Sequence, residues 1–376
     1  MNLVTKREID KLGIKTSLLG FGCMRFPTLP DGKIDEARTE KMVENAMARG
    51  VNYYDTAFPY HNGESEKVIG RILDKYPRDS YYLATKLPCW EVKSAEDVNR
   101  LFNLQLEKLH KDYVDFYLLH ALDRNRFKQM KELGVLEKCF ELKKQGKIKN
   151  FGFSFHDGYD AFEEIVNDHD WDFCQIQFNY MDTDEQAGLK GYELTEKKNI
   201  PLIIMEPVKG GSLANLPQEV TEGFRAARPN ASAASWALRF VATFPNVKVV
   251  LSGMSSEEQV EDNLNTFTDF EPLSEKEKEL VKATADLIRS RVHNGCTGCR
   301  YCMPCPMGVD IPRCFSVWNE FGMYRDVNGT KWKWGTISEE HRPTNCIQCG
   351  ACESACPQKL SIRENLATLN EELNRL

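Results

Sequence analysis

Nine of the chain's 13 cysteines fall between residues 296 and 356, and eight of those form two regular runs. CTGCRYCMPCP carries Cys296, Cys299, Cys302 and Cys305 before Pro306; CIQCGACESACP carries Cys346, Cys349, Cys352 and Cys356 before Pro357. Zinc can use any C-x2-C pair. Three cysteines at that spacing, then a fourth followed by proline, point instead to [4Fe–4S] clusters. A second set of reactive residues is dispersed: Asp55, Tyr60, Lys86 and His120, each at or just beyond the end of an apolar run. Together they suit proton donation to a carbonyl oxygen. A free tyrosine, with a pKa of about 10, is a poor acid at neutral pH. A neighbouring lysine ammonium favours the phenolate and is expected to lower that value. The carboxylate would hold the lysine, and the imidazole would orient the substrate oxygen.

Eight short apolar runs must position these groups: residues 17–22, 51–55, 81–86, 113–120, 148–154, 173–178, 200–206 and 247–252. Amphipathic stretches separate them, as in 35–50, 94–110 and 230–244. In the first stretch Ala37, Met42, Val43, Ala46 and Met47 are expected to form the apolar face, with Gly50 ending the helix. Several runs are apolar on both faces, which suits a parallel sheet covered by helices. Eight strand–helix units predict an α/β fold, a closed (β/α)8 TIM barrel over residues 1–275. The turn GFGCMRFP lacks the G-x-G-x-x-G of an open doubly wound sheet. Residues 4–14 are expected to form a hairpin plugging the barrel floor. A helix over 274–292 opens with the capping pattern Ser274-x-x-Glu277 and leads from barrel to tail. The expected divisions are thus 1–275, a connecting helix 276–293, and a cysteine-rich domain 294–376. In such barrels catalytic groups close the strands at their C-terminal ends; here those ends carry Asp55, Lys86, His120, Ser154, Gln175 or Gln177, and Glu206.

Composition sets bounds. The net charge is −7 and no Lys/Arg block is present, so neither nucleic acid nor a membrane surface is an expected partner. No apolar run reaches the roughly 18 residues of a membrane span. The N-terminal residues lack the apolar core of a signal peptide, and the cysteine pattern is not that of a secreted disulfide scaffold. A reducing cytoplasm is the expected compartment.

The barrel resembles the aldo-keto reductases over residues 1–275. D-T-A-x-x-Y appears as Asp55-Thr56-Ala57-Phe58-Pro59-Tyr60, A-T-K ends at Lys86, and D-x-x-L-L-H ends at His120. The resemblance implies a catalytic tetrad of Asp55, Tyr60 as proton donor, Lys86 and His120. It also implies a nicotinamide cofactor lying extended across the barrel mouth. Ser154 and Gln175 would hold the carboxamide, with Gln177 two residues on and Phe155 where the family has asparagine. Met205 stands where the family commonly stacks a tyrosine on the nicotinamide. Glu206, Lys209 and Gly210 follow in the loop that passes the pyrophosphate. Gly253 and Gln259 occupy the positions where NADPH-specific relatives place Lys and Arg for the 2′-phosphate. Without those cations NADH is the expected cofactor and NADPH the alternative. Asn263 matches the adenine contact, and Ser255 or Ser256 the ribose.

The tail resembles a two-cluster ferredoxin-like domain over residues 290–365. That resemblance implies crossed ligation, with Cys296, Cys299, Cys302 and Cys356 on one [4Fe–4S] cluster and Cys346, Cys349, Cys352 and Cys305 on the other. Cys314, Cys23, Cys89, Cys139 and Cys174 read as buried thiols. Trp332 and Trp334, between the runs, would pack or face a partner. Phe26, Phe58, Trp90 and Phe155 suggest an aromatic-lined mouth, with Cys89 beside it. The favoured function is an NAD(P)H-linked oxidoreductase acting on a small carbonyl or alcohol substrate, its clusters structural or docking. An alternative is electron exchange between the clusters and a ferredoxin or other redox partner. A further alternative is a non-catalytic redox sensor, against which the complete tetrad argues.

Overall fold

The structure, a computed structural model, describes residues 2–376. A hairpin comes first, β1 (Lys6–Ile9) antiparallel to β2 (Ile14–Ser17). Eight parallel strands then close a barrel in chain order. They are β3 (Leu19–Gly22), β4 (Tyr53–Asp55), β5 (Tyr82–Leu87), β6 (Val114–Leu122), β7 (Ile148–Phe155), β8 (Phe173–Gln177), β9 (Leu202–Met205) and β10 (Val247–Gly253), with β10 closing on β3. Each expected run supplies one of them, apart from Ser17, which belongs to the hairpin.

Successive side chains on a strand point to opposite faces, so every second residue faces the barrel interior. Tyr53, Ala84, Phe116, Leu118, Phe173, Ile203, Val249 and Leu251 pack there as one cluster. Two glycines make room for these side chains. A Cβ on Gly20 would lie 2.5 Å from Val249, and one on Gly152 would lie 2.9 Å from the Phe173 ring. One step further along the same inward parity stand Asp55, Lys86, His120, Ser154, Gln175 and Met205. The strand pleat that fills the core therefore also aims the reactive groups at the mouth.

Outward residues such as Tyr54, Leu83, Tyr117, Phe153 and Ile204 join a larger core against the helices. Helix Glu36–Ala48 is capped by the Asp35 side chain, which accepts from the Arg38 N–H. Its buried stripe is Thr39, Met42, Val43 and Ala46. Ala37 is exposed; the i, i+3, i+4, i+7 stripe begins instead at Thr39, whose hydroxyl donates to the Asp35 carbonyl. Gly50 adopts φ +89° just beyond the helix, where a side chain would be strained.

The hairpin closes the floor. Leu12 and Ile14 pack against the interior cluster. The Arg7 guanidinium donates to the carbonyls of Ala242, Phe244 and Val247, which lie between helix Ala233–Ala242 and β10. Burial lowers Arg7 to about 10, so it remains charged at neutral pH.

Packing divides the chain into two compact units, residues 1–210 with 234–276, and residues 211–233 with 277–376. The second unit contains helices Gln218–Ala227, Ile311–Tyr324, Val327–Gly335 and Ile362–Asn374. Its core is built from Ile311, Phe315, Trp318, Ile362, Leu366 and Leu369, and six of the run cysteines pack against it. Among the described residues no helix is long and apolar enough to cross a membrane.

Arg7→Ala removes a charged donor from three carbonyls. The expected result is a loss of about 2 kcal/mol of stability, read from the denaturant midpoint of the barrel transition. An unchanged midpoint would mean that the hairpin does not brace the floor.

Candidate functional site

Lys86 is 1% exposed at the barrel mouth. Its Nζ donates to Asp55 Oδ1 at 2.6 Å, to the Thr56 carbonyl at 2.8 Å and to Tyr60 Oη at 3.2 Å. Those are the three donors of an ammonium, so the lysine is fully satisfied. Asp55 spends its second oxygen on Gln175, whose Nε2 donates at 3.1 Å. Tyr60 returns over the mouth on the short turn Tyr60–Gly63, where His61 and Asn62 adopt positive φ. The His120 ring stands edge-on to Tyr60, with centroids 6.1 Å apart, and Trp90 lies 5.1 Å from the same imidazole.

The electrostatics follow from burial. The Tyr60 phenol is raised above its ordinary value, because burial outweighs the opposing pull of Lys86. That corrects the net direction expected from the lysine alone; the lysine does pull downward, but less strongly than desolvation pushes up. Burial on its own would lower Lys86, yet Asp55 and Tyr60 outweigh it and hold the ammonium above its ordinary value. Burial pushes His120 well below the usual imidazole range, with Lys86, His156 and Arg126 adding to the effect. His120 is thus neutral at neutral pH. Its Nδ1 is buried without a hydrogen-bond partner.

Strand β5 is fixed from outside as well. Thr85 points away from the interior and donates to the buried Glu66 at 2.7 Å. Gln105 donates to the same carboxylate and to the Lys86 carbonyl at 3.0 Å. Lys108 lies 3.5 Å from the other Glu66 oxygen.

The remaining expected residues line the mouth in several states. Ser154 and Gln175 are register partners on β7 and β8. The Ser154 hydroxyl oxygen accepts from the Ala121 N–H at 2.8 Å, which leaves its own proton to donate. Met205, at the end of β9, packs on the interior cluster, and Glu206 follows with φ +55°. Lys209 pairs with both oxygens of Asp182, at 2.6 and 2.7 Å. Gln177 and Asn179 donate to the same carboxylate at 2.6 and 2.9 Å. Ser255 donates to the Arg25 carbonyl at 2.8 Å, and its N–H donates to Gln259 at 2.8 Å. Asn263 is buried, its amide donating to Ser252 at 2.8 Å. Ser256 caps helix Glu257–Phe267.

The aromatic mouth is narrower than expected. Phe155 has outward parity and packs on Phe162 in the outer core, Phe26 is buried, and Phe58 lies under Lys108. Trp90 alone of the four adjoins His120. Sequence reasoning passed over Asp182, Asn179 and Arg25. The signal was available: each lies within five residues after a barrel strand, in a loop at the catalytic end.

In the second unit, one cavity is lined by Cys302, Cys305, Cys346, Cys349 and Cys352. Another is lined by Cys296, Cys299, Cys302 and Cys356. Both cavities draw on both runs. Cys314 and the four cysteines before residue 180 are fully buried elsewhere. Trp334 is buried, while Trp332 is 69% exposed.

Comparison with known proteins places these features. Residues 18–286 match the aldo/keto reductase family and residues 295–360 a 4Fe-4S dicluster domain. L-galactose dehydrogenase of Arabidopsis thaliana is 27% identical over 320 residues, covering 76% of this chain and 95% of that protein. NADH-specific methylglyoxal reductase of Escherichia coli is 26% identical over 228 residues, covering 56% and 67%. Among solved structures, the holo form of an aldo-keto reductase from Bacillus halodurans superposes with a TM-score of 0.63 at 23% identity, over 75% of this chain and 96% of that one. An aldo-keto reductase from Klebsiella pneumoniae in complex with NADPH gives 0.61 at 18% identity, over 75% and 95%. At those identities the structures speak for the fold; the family match spans most of the chain. The chain belongs to the aldo/keto reductase family, as an NAD(P)-dependent oxidoreductase with a 4Fe-4S dicluster domain after its barrel.

Proposed function

We propose that the barrel interconverts a small carbonyl compound and its alcohol, with Tyr60 as the proton donor and acceptor. The observation that carries this reading is Lys86 Nζ held between Asp55 and Tyr60, with a neutral His120 facing the same phenol. A nicotinamide dinucleotide supplies or accepts the hydride when bound. Tyr60 Oη gives its proton to the carbonyl oxygen, and the Lys86 ammonium stabilises the phenolate left behind. Asp55 and Gln175 keep that ammonium in place. His120 orients the oxygen through its imidazole. Ser154, beside Gln175, is suited to the carboxamide. NADH is proposed over NADPH because Gly253 and Gln259 bring no charge to a 2′-phosphate. The dehydrogenase and NADH-specific reductase among the relatives fit this reaction class.

For the tail we propose two [4Fe–4S] clusters, on Cys296, Cys299, Cys302 and Cys356, and on Cys305, Cys346, Cys349 and Cys352. The two cysteine-lined cavities support that division. A hydride carries two electrons and a cluster accepts one, so direct transfer between them is not proposed. The clusters are read as structural or docking elements. Electron exchange with an external redox protein is the second reading, favoured by the exposure of Cys299 and Cys349 beside exposed Tyr301 and Ile347.

Tyr60→Phe should reduce NADH-linked turnover of a panel of small aldehydes by at least about 100-fold while leaving NADH binding unchanged. Retained turnover would remove Tyr60 from the mechanism. Because reduction needs the protonated phenol, and burial raises that phenol, wild-type reduction should be level through neutral pH. It should fall only above the ordinary tyrosine value of about 10. A fall near pH 7 would assign the acid elsewhere. Anaerobically purified protein should contain about eight iron and eight sulfide per chain, and Cys356→Ser should lose about half. Zinc in their place would overturn the cluster assignment.

A further inference from the structure

The mouth beside His120 carries a cation that the proposed proton transfer does not use. Arg126 lies in the first turn of helix Arg124–Glu132, directly after β6. The strand shifts register between Leu119 and Leu122, and Ala121 takes φ +52°, a left-handed conformation unfavourable for alanine. That bulge immediately follows His120, and the Ala121 carbonyl accepts from Arg126 Nη1. The guanidinium is thereby tied to the residue next to the imidazole.

The carboxylate beside it is only loosely engaged. Asp123 spends Oδ1 on the Arg126 backbone N–H at 2.8 Å, and its Oδ2 stays 3.6 Å from Nη1, beyond hydrogen-bond reach. Nε and Nη2 donate to nothing among the described residues, so one fork of the guanidinium is open, on a side chain 30% exposed. The neighbours show which way the charge faces. Trp90 is 42% exposed and lies 5.1 Å from the His120 ring. Cys89, next to Trp90 in the turn Cys89–Glu91, feels the Arg126 charge, and so does His120. His156, exposed just beyond β7, flanks the other side, its N–H donating to the Leu122 carbonyl at 2.9 Å. Lys86, the cation nearest the reaction, has no donor left.

We propose that Arg126 binds a carboxylate carried by the substrate, so that the barrel acts on a carbonyl compound with its own acid group. The inference rests on the proposed carbonyl–alcohol chemistry at Tyr60 and names its substrate class. Nε and Nη2 present parallel N–H donors that match the two oxygens of a carboxylate. The carbonyl oxygen meets Tyr60 and His120, the acid group meets Arg126, and Trp90 supplies an apolar wall between them. Such a two-point hold fixes the orientation of a flexible substrate before reaction.

A matched pair of aldehydes, succinic semialdehyde and butanal, tests the inference in the full-length holoprotein with NADH. Wild-type kcat/KM should favour the acid by about tenfold or more, the size of one charge-assisted contact. Arg126→Gln should erase that preference chiefly through KM while affecting butanal far less, and Arg126→Lys should restore part of it. Equal use of the two aldehydes by wild type, or equal losses on both in Arg126→Gln, would overturn the inference. A phosphorylated aldehyde used better than the carboxylated one would overturn the choice of carboxylate. A binding measurement separates the inference from the reading beneath it. Calorimetric titration of the NADH-loaded Tyr60→Phe variant with succinic semialdehyde needs no turnover. Binding there that depends on Arg126 supports the carboxylate site even when wild-type protein reduces neither aldehyde, a result that sinks only the reductase reading. Binding unaffected by adding Arg126→Gln to that variant overturns the inference.

Discussion

The site depends on one buried ion pair. Lys86 and Asp55 are both almost fully removed from water, and desolvating two charges costs several kcal/mol per ion unless the geometry and the remaining hydrogen bonds offset it. Here every donor and acceptor has a use. The ammonium has three acceptors, and the carboxylate's second oxygen receives Gln175. Such an arrangement tolerates little displacement, which ties it to a rigid parallel barrel. Asp55 and Lys86 meet because they end neighbouring strands, and Gln175 reaches them from across the mouth. The same pair sets the chemistry of Tyr60, which would be a still weaker acid without the ammonium beside it.

The layers beneath explain how the pair is kept in place. Val249, Leu251 and the Phe173 ring fill the interior where Gly20 and Gly152 leave space, and the hairpin seals the floor. Outside the barrel, Glu66, Thr85 and Gln105 hold β5 through the Lys86 carbonyl itself. Charged groups are thus supported from the interior, the floor and the outer shell, while Trp90 beside His120 stays exposed.

The strands were legible because each is a short apolar run with a polar residue at its end, and the pleat converts that pattern directly into an inward-facing site. The spacing of Asp55, Tyr60, Lys86 and His120 was legible for the same reason. Other features depended on contacts between distant segments. Nothing local to Tyr60 says that burial outweighs Lys86, since that balance depends on how tightly the turn closes. Phe155 looked like a mouth residue until its strand parity sent it outward. The grip of Asp182 on Lys209 joins loops 27 residues apart. The tail helices Ile311–Tyr324 and Ile362–Asn374 carry clear stripes, Ile311, Phe315 and Trp318 in one and Ile362, Leu366, Leu369 and Leu373 in the other.

Two kinds of electron chemistry coexist in one chain: paired electrons as hydride in the barrel, single electrons at any cluster in the tail. The central claim is that the barrel runs hydride transfer without needing the clusters as acceptors. It is tested most directly by supplying NADH deuterated at the transferring position, together with a small aldehyde, under anaerobic conditions. The product alcohol is then examined by mass spectrometry while the iron–sulfur absorbance is followed. The account predicts deuterium on the carbinol carbon and no change in cluster absorbance. Oxidation of the labelled NADH with bleaching of the clusters and no deuterium in the product would contradict it.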